Sequence, residues 1–142
     1  MADYVATARR VLEEAFNEGN LAVLDEICGD GFVDHDPLMG DQDKEAAKRT
    51  IASYREAFPD LHITVDDAIA AGDKVVLRWH GDGTFENPLL GLEPTGERGR
   101  TVRGISIDRF EGDKVVESWT QWDTLTFMQD IGAIPHAAGA SA

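Results

Sequence analysis

The spacing of apolar residues changes once along this chain, near Pro59, and that change limits what the chain can build. Before it, apolar residues recur at helical intervals. Val5, Ala8, Leu12, Ala15 and Phe16 share one face of a helix over residues 3–17, which Asn17-Glu18-Gly19-Asn20 ends. Asn20 can cap a short second helix, Leu21 to Ile27, and Gly29 and Gly31 break it. Phe32-Val33-Asp34-His35-Asp36-Pro37 reads as a brief extended segment. Asp41 can cap a third helix with Ala47, Ile51, Tyr54 and Phe58 on its apolar face, and Pro59 discourages its continuation.

After Pro59 the period is two. Leu61, Ile63, Val65 and Ile69 alternate with His62, Thr64, Asp66 and Ala68, as a half-buried strand requires. Ala71-Gly72-Asp73 turns into a second strand from Lys74 to about Glu86. A Gly- and Pro-rich loop, Asn87 to Gly99, leads to a third strand near 100–110. Glu111-Gly112-Asp113-Lys114 turns tightly into a fourth, and Thr124 to Ile131 forms a short terminal helix ended by Gly132. Helices followed by a meander predict an α+β fold. Three N-terminal helices pack on a curved antiparallel sheet of four strands, forming a cone with one open mouth. Residues 1–135 make one domain, and 136–142 a loose tail.

Composition removes several classes of function. A formal net charge of −14 repels nucleic acid and anionic membranes. No apolar run approaches the roughly 20 residues that span a bilayer. Met1-Ala2-Asp3-Tyr4 has neither the basic start nor the apolar stretch of a secretory signal, and Cys28 is the only cysteine. A cytoplasmic protein without a disulfide is expected. His35, His62, His80 and His136 lack metal-ligand spacing, and no phosphate loop, dinucleotide fingerprint or serine nucleophile elbow is present. No metal or cofactor is called for. Cys28 reads as a small buried residue at a helix end.

The last strand carries the densest chemistry. Alternation places Glu117, Trp119, Gln121 and Asp123 on one face, and this polar face with one large aromatic suits the wall of a ligand pocket better than a dry core. Val116, Ser118, Thr120 and Trp122 then point outward. In the second strand Arg78 and His80 share a face opposite Trp79. Arg78 can polarise a ligand carbonyl or pair with an acid such as Glu117.

The chain resembles the SnoaL-like polyketide cyclases of the nuclear-transport-factor-2-like superfamily, over roughly Val5 to Ile134. The resemblance rests on Phe32-Val33-Asp34-His35-Asp36-Pro37, Val75-Val76-Leu77-Arg78-Trp79, Pro94-Thr95-Gly96, the stretch Gly112-Asp113-Lys114-Val115 through Trp119 to Asp123, and the ending Gln129-Asp130-Ile131-Gly132. It implies that Asp123 is a general acid/base for intramolecular aldol closure, in a pocket that raises its pKa. Asp123 also stands where a helix N-cap belongs, and aspartate is a preferred cap. By the same resemblance His35 donates to a substrate carbonyl or shares a proton network with Asp123; the plain alternative is a loop histidine held by a neighbouring carboxylate. Trp119 stacks on a planar ligand or fills the core, and Gln121 orients a substrate oxygen. Phe85 follows Gly83-Thr84 where many relatives carry a histidine, which removes a polar contact there and leaves an apolar one.

The expected function is a cofactor-independent lyase or isomerase acting on a hydrophobic small molecule. The alternatives are a non-catalytic binding domain and an epoxide-hydrolase-like hydrolase of the same shape. A homodimer is expected through the outer face of the sheet, with Trp122 and Val116 supplying apolar area.

Overall fold

The computed structural model describes residues 3–136, so residues 137–142 of the expected tail lie outside it. Helix α1, Tyr4–Arg10, begins where the Asp3 carboxylate accepts the Ala6 N–H at 3.0 Å. It runs directly into π-helical turns over Val11–Phe16 and buries Ala8, Leu12 and Ala15. Helix α2, Val23–Ile27, starts two residues later than expected, because Leu21 and Ala22 form a turn. Arg10 bonds Glu14 on its own helix and Glu26 on α2, fastening the two together.

Helix α3, Lys44–Ala57, is capped by Asp43, whose carboxylate accepts the Ala46 N–H at 2.8 Å. The expected cap, Asp41, instead lies in a short strand, β2 (Gly40–Gln42). The segment read as brief and extended is a full strand, β1 (Cys28–Asp36). The meander follows as β3 (His62–Ala71), β4 (Lys74–Asp82), β5 (Val102–Glu111) and β6 (Lys114–Trp122).

The sheet therefore has six strands, in the order β2-β1-β6-β5-β4-β3. Every pairing is antiparallel except β1 with β6, where Asp34 lies opposite Ser118 and His35 opposite Trp119. That insertion puts the Asp34–Asp36 segment beside the last strand, with Asp34 and Ser118 84 positions apart in sequence. Sequence patterning alone does not pair segments so far apart.

The helices cover the concave face of the sheet, and Leu24, Leu77, Val75 and Val115 are almost fully buried there. Asn17 joins the end of the first helix to β3, donating to the Ile63 carbonyl at 2.8 Å and accepting the Ile63 N–H at 2.7 Å. Gly104 on β5 has a packing reason: a Cβ there would run into the Trp79 ring. Without it the indole crosses β5 and donates to the Ser106 hydroxyl at 3.0 Å.

Strand β6 carries a bulge. Arg109 pairs with Glu117 and Phe110 with Val115, so Val116 is the extra residue. Val115 and Ser118, three apart, are consequently both buried. Helix α4, Thr124–Asp130, closes the chain, and Phe58, Phe85, Leu89 and Ile131 form a second apolar cluster beneath it. Among the described residues no helix is long and apolar enough to cross a membrane.

Candidate active site

The cone encloses a cavity of about 200 Å³ between the concave sheet face and helices α1 and α3. Its walls are chiefly apolar. Polar groups enter from three neighbouring strands: Asp34 and Asp36 from β1, Ser118 and Thr120 from β6, Ser106 and Asp108 from β5.

Asp34 shares its side of β1 with buried Phe32. The Thr120 hydroxyl donates to it at 3.2 Å. Burial, and next the charge of neighbouring Asp36, lifts its pKa to about 7; the Thr120 bond opposes the rise. Thr120 in turn lies 3.5 Å from Ser106, which receives the Trp79 indole N–H. When Thr120 donates to Asp34, Ser106 is left to donate to Thr120, and a short relay runs from Trp79 to the carboxylate.

Asp36 is occupied differently. One oxygen accepts the Trp122 indole N–H at 3.0 Å, and the other accepts the N–H groups of Leu38 and Met39 at 2.9 and 2.7 Å. Its carboxylate holds the turn after β1. Asp108, 8% exposed, sits deeper, takes a hydrogen bond from the Ser118 hydroxyl, and is raised by burial to about 6. A carboxyl near 7 in an apolar chamber exists in both protonation forms at neutral pH, as a group that takes and returns a proton must. Cys28 also lines the cavity, but burial pushes its thiol to about 12, so it offers no thiolate nucleophile.

The structure reverses the expected orientation of β6. Glu117, Trp119 and Gln121 do share a face, but it is the convex one, while Ser118, Thr120 and Trp122 line the cavity. The reason is that Asp123 does not belong to the strand whose alternation it was expected to share. That residue lies one position past the strand, is exposed, and caps α4: its carboxylate accepts the Thr126 N–H at 3.1 Å and the Thr126 hydroxyl at 2.6 Å. Those bonds, the hydroxyl's first, hold it below the usual carboxylate range. The structure places it as the cap of α4, outside the lining of the cavity.

His35 is likewise on the convex face, between Asp41 at 2.7 Å and Glu117 at 2.8 Å, stacked on Trp119 with ring centres 5.8 Å apart. Asp41 and then Glu117 raise its pKa, and Glu117, which also takes a bond from Arg109, is lowered. Among the described residues the hydrogen bonds of His35 go to Asp41 and Glu117, and those of Asp123 to Thr126. Arg78 is exposed outside the cone, 3.9 Å from Asp66, which also holds His80. Trp79, between Arg78 and His80, faces the cavity instead. Phe85 is the one expected substrate contact that lines the cavity, 2% exposed and stacked on Phe58.

Sequence reasoning missed Asp34, Asp108 and Thr120 as cavity groups. The usable signal was Phe32: period two from this apolar residue puts Asp34 and Asp36 on its side.

Comparison with known proteins places the chain in a recognised group. The profile of a family described as SnoaL-like polyketide cyclase matches residues 6–131. A protein from Jannaschia sp. CCS1, assigned as a SnoaL-like polyketide cyclase, is 27% identical with a TM-score of 0.81, covering 93% of this chain and 93% of its own. IdmH of Streptomyces antibioticus, assigned as a polyketide cyclase, is 27% identical with a TM-score of 0.77, over 92% of this chain and 99% of its own. AclR of Streptomyces galilaeus, assigned as a hydroxylase, shares the fold at a TM-score of 0.82 and 23% identity, over 96% of this chain and 89% of its own. No curated protein matches the sequence.

Proposed function

The chain belongs to the SnoaL-like polyketide cyclase family, and from that premise we propose a cofactor-independent cyclase or isomerase in which Asp34 is the general acid/base. The observation that carries this reading is the Asp34 carboxyl, held near 7 inside an apolar cavity. As carboxylate, Asp34 removes a proton from a carbon flanked by carbonyls. The resulting enolate attacks a second carbonyl carbon of the same molecule, forming a C–C bond. The Asp34 carboxylic acid then returns the proton to the new alkoxide. Electrons and protons balance without a redox partner, and confinement of both ends of a flexible substrate lowers the entropic part of the barrier.

The substrate is a neutral, largely apolar carbonyl compound. Asp34, Asp36 and Asp108 all face the chamber, whereas the Arg100 guanidinium at the mouth is already paired with Asp130 at 2.9 Å. An anionic ligand meets unfavourable charge at every depth. We also propose that a second copy of the chain covers the convex sheet face, where Trp119 and Ile105 are exposed on adjoining strands. Trp122, expected to serve that interface, lies inside the cone instead.

The test uses ethyl benzoylacetate in D2O with NMR detection of methylene proton exchange. Wild type should accelerate exchange above the buffer rate, and Asp34→Asn should lose about 10²–10⁴-fold of that acceleration. Binding of the ester without accelerated exchange would instead favour the non-catalytic binding domain. Diol formation from a neutral epoxide would favour the hydrolase.

A further inference from the structure

Among the described residues, one buried side-chain polar atom has no hydrogen-bond partner: the Tyr54 hydroxyl. Tyr54 sits on the inner face of α3, one turn beyond Ile51, and lines the same cavity as Asp34. Its ring is wedged between two aromatic neighbours, edge to face, with centroids 6.3 Å from Trp122 and 5.8 Å from Phe127. Trp122 is itself fixed by its bond to Asp36. A hydroxyl so placed is costly to the fold, since a buried donor without an acceptor forfeits its hydration with nothing in return. At this place in the cavity wall it calls for an acceptor that arrives with the ligand.

We propose that Tyr54 donates a hydrogen bond to the substrate's carbonyl oxygen and stabilises the enolate that forms when Asp34 takes the adjacent proton. The inference rests on the acid/base reading of Asp34 and specifies the substrate further: its acidic C–H lies next to a ketone or ester carbonyl whose oxygen reaches α3 while the carbon faces β1. Burial, and next the charges of Asp36 and Asp34, hold the phenol above its ordinary range, so it remains an O–H donor at working pH. A donor aimed where negative charge develops is worth more in an apolar chamber than in water. No proton needs to leave Tyr54; the transfer is between carbon and Asp34 alone.

The test compares wild type, Tyr54→Phe and Asp34→Asn with two readouts. The first is the infrared carbonyl band of bound, isotope-labelled acetophenone. The expected result is a band lowered in wild type and in Asp34→Asn, and returned towards its unbonded position in Tyr54→Phe. The second is exchange of ethyl benzoylacetate, where Tyr54→Phe should lower kcat by roughly 10²-fold with little change in KM. The melting temperature of Tyr54→Phe should be equal to or above that of wild type, because the variant removes an unpaired hydroxyl and keeps the ring. A carbonyl band no lower in wild type than in Tyr54→Phe overturns the proposal, as does an unchanged kcat. Loss of exchange in wild type itself refutes the Asp34 reading instead, and the carbonyl band still decides whether Tyr54 is a donor.

Discussion

The Thr120 hydroxyl donates to the Asp34 carboxylate at 3.2 Å, from β6 to the parallel strand β1 beside it. That bond favours the ionised form and partly offsets the effects of burial and of Asp36. Thr120→Val, similar in shape without the hydroxyl, should raise the Asp34 pKa further. Exchange activity that needs the carboxylate rises with pH through about 7 in wild type, and its midpoint should move up in the variant. A pH–rate profile of both proteins checks this; an unchanged or lowered midpoint would mean that Thr120 does not tune the carboxyl.

Asp34 also sets a pH dependence of stability. Its pKa is raised from 3.8 to about 7 in the folded chain, so folding favours its protonated form. The benefit is complete below pH 4 and is lost as pH rises through 7, with buried Asp108 adding a loss that ends near 6. Asp34→Asn escapes the cost of a buried charge. It should be more stable than wild type at pH 8, by roughly 2 kcal/mol given the cavity's open mouth, and about equal at pH 4. Urea denaturation at the two pH values measures this, and a variant less stable at pH 8 would argue that the Asp34 charge is well solvated.

Asp123 should separate cleanly from catalysis. Asparagine caps about as well as aspartate, so Asp123→Asn should keep both melting temperature and exchange rate. Asp123→Ala should cost about 1 kcal/mol of stability. A hundredfold loss of exchange in Asp123→Asn, with the fold intact by circular dichroism, would return the acid/base role to this residue.

The convex face offers a test of assembly. Trp119, 37% exposed, stacks against His35, and Ile105, 48% exposed, lies on the adjoining strand opposite Gln121. Light scattering at tens of micromolar should give twice the 15.5 kDa of one chain, and Trp119→Glu should shift it towards the single-chain mass without loss of the cavity's exchange activity. A wild-type chain that scatters at 15.5 kDa would rule out the dimer.

What the sequence determined by itself is the order of the helices and of the four-strand meander, and which residues travel together; β1 and β2, between α2 and α3, escaped it. The switch from period 3.6 to period two near Pro59 requires helices before a meander, and alternation puts Glu117, Trp119 and Gln121 on one side and Trp79 opposite Arg78. Local chemistry also made Asp123 a good cap. Tertiary structure alone decided which side is the inside. Period two is symmetric between the two faces of a strand, and the choice falls to whichever face the helices cover. The Val116 bulge then breaks the count on β6, and the parallel pairing of β1 with β6 brings Asp34 to Thr120. A carboxyl's pKa depends on burial and neighbouring charge, and both arise only when those distant strands meet.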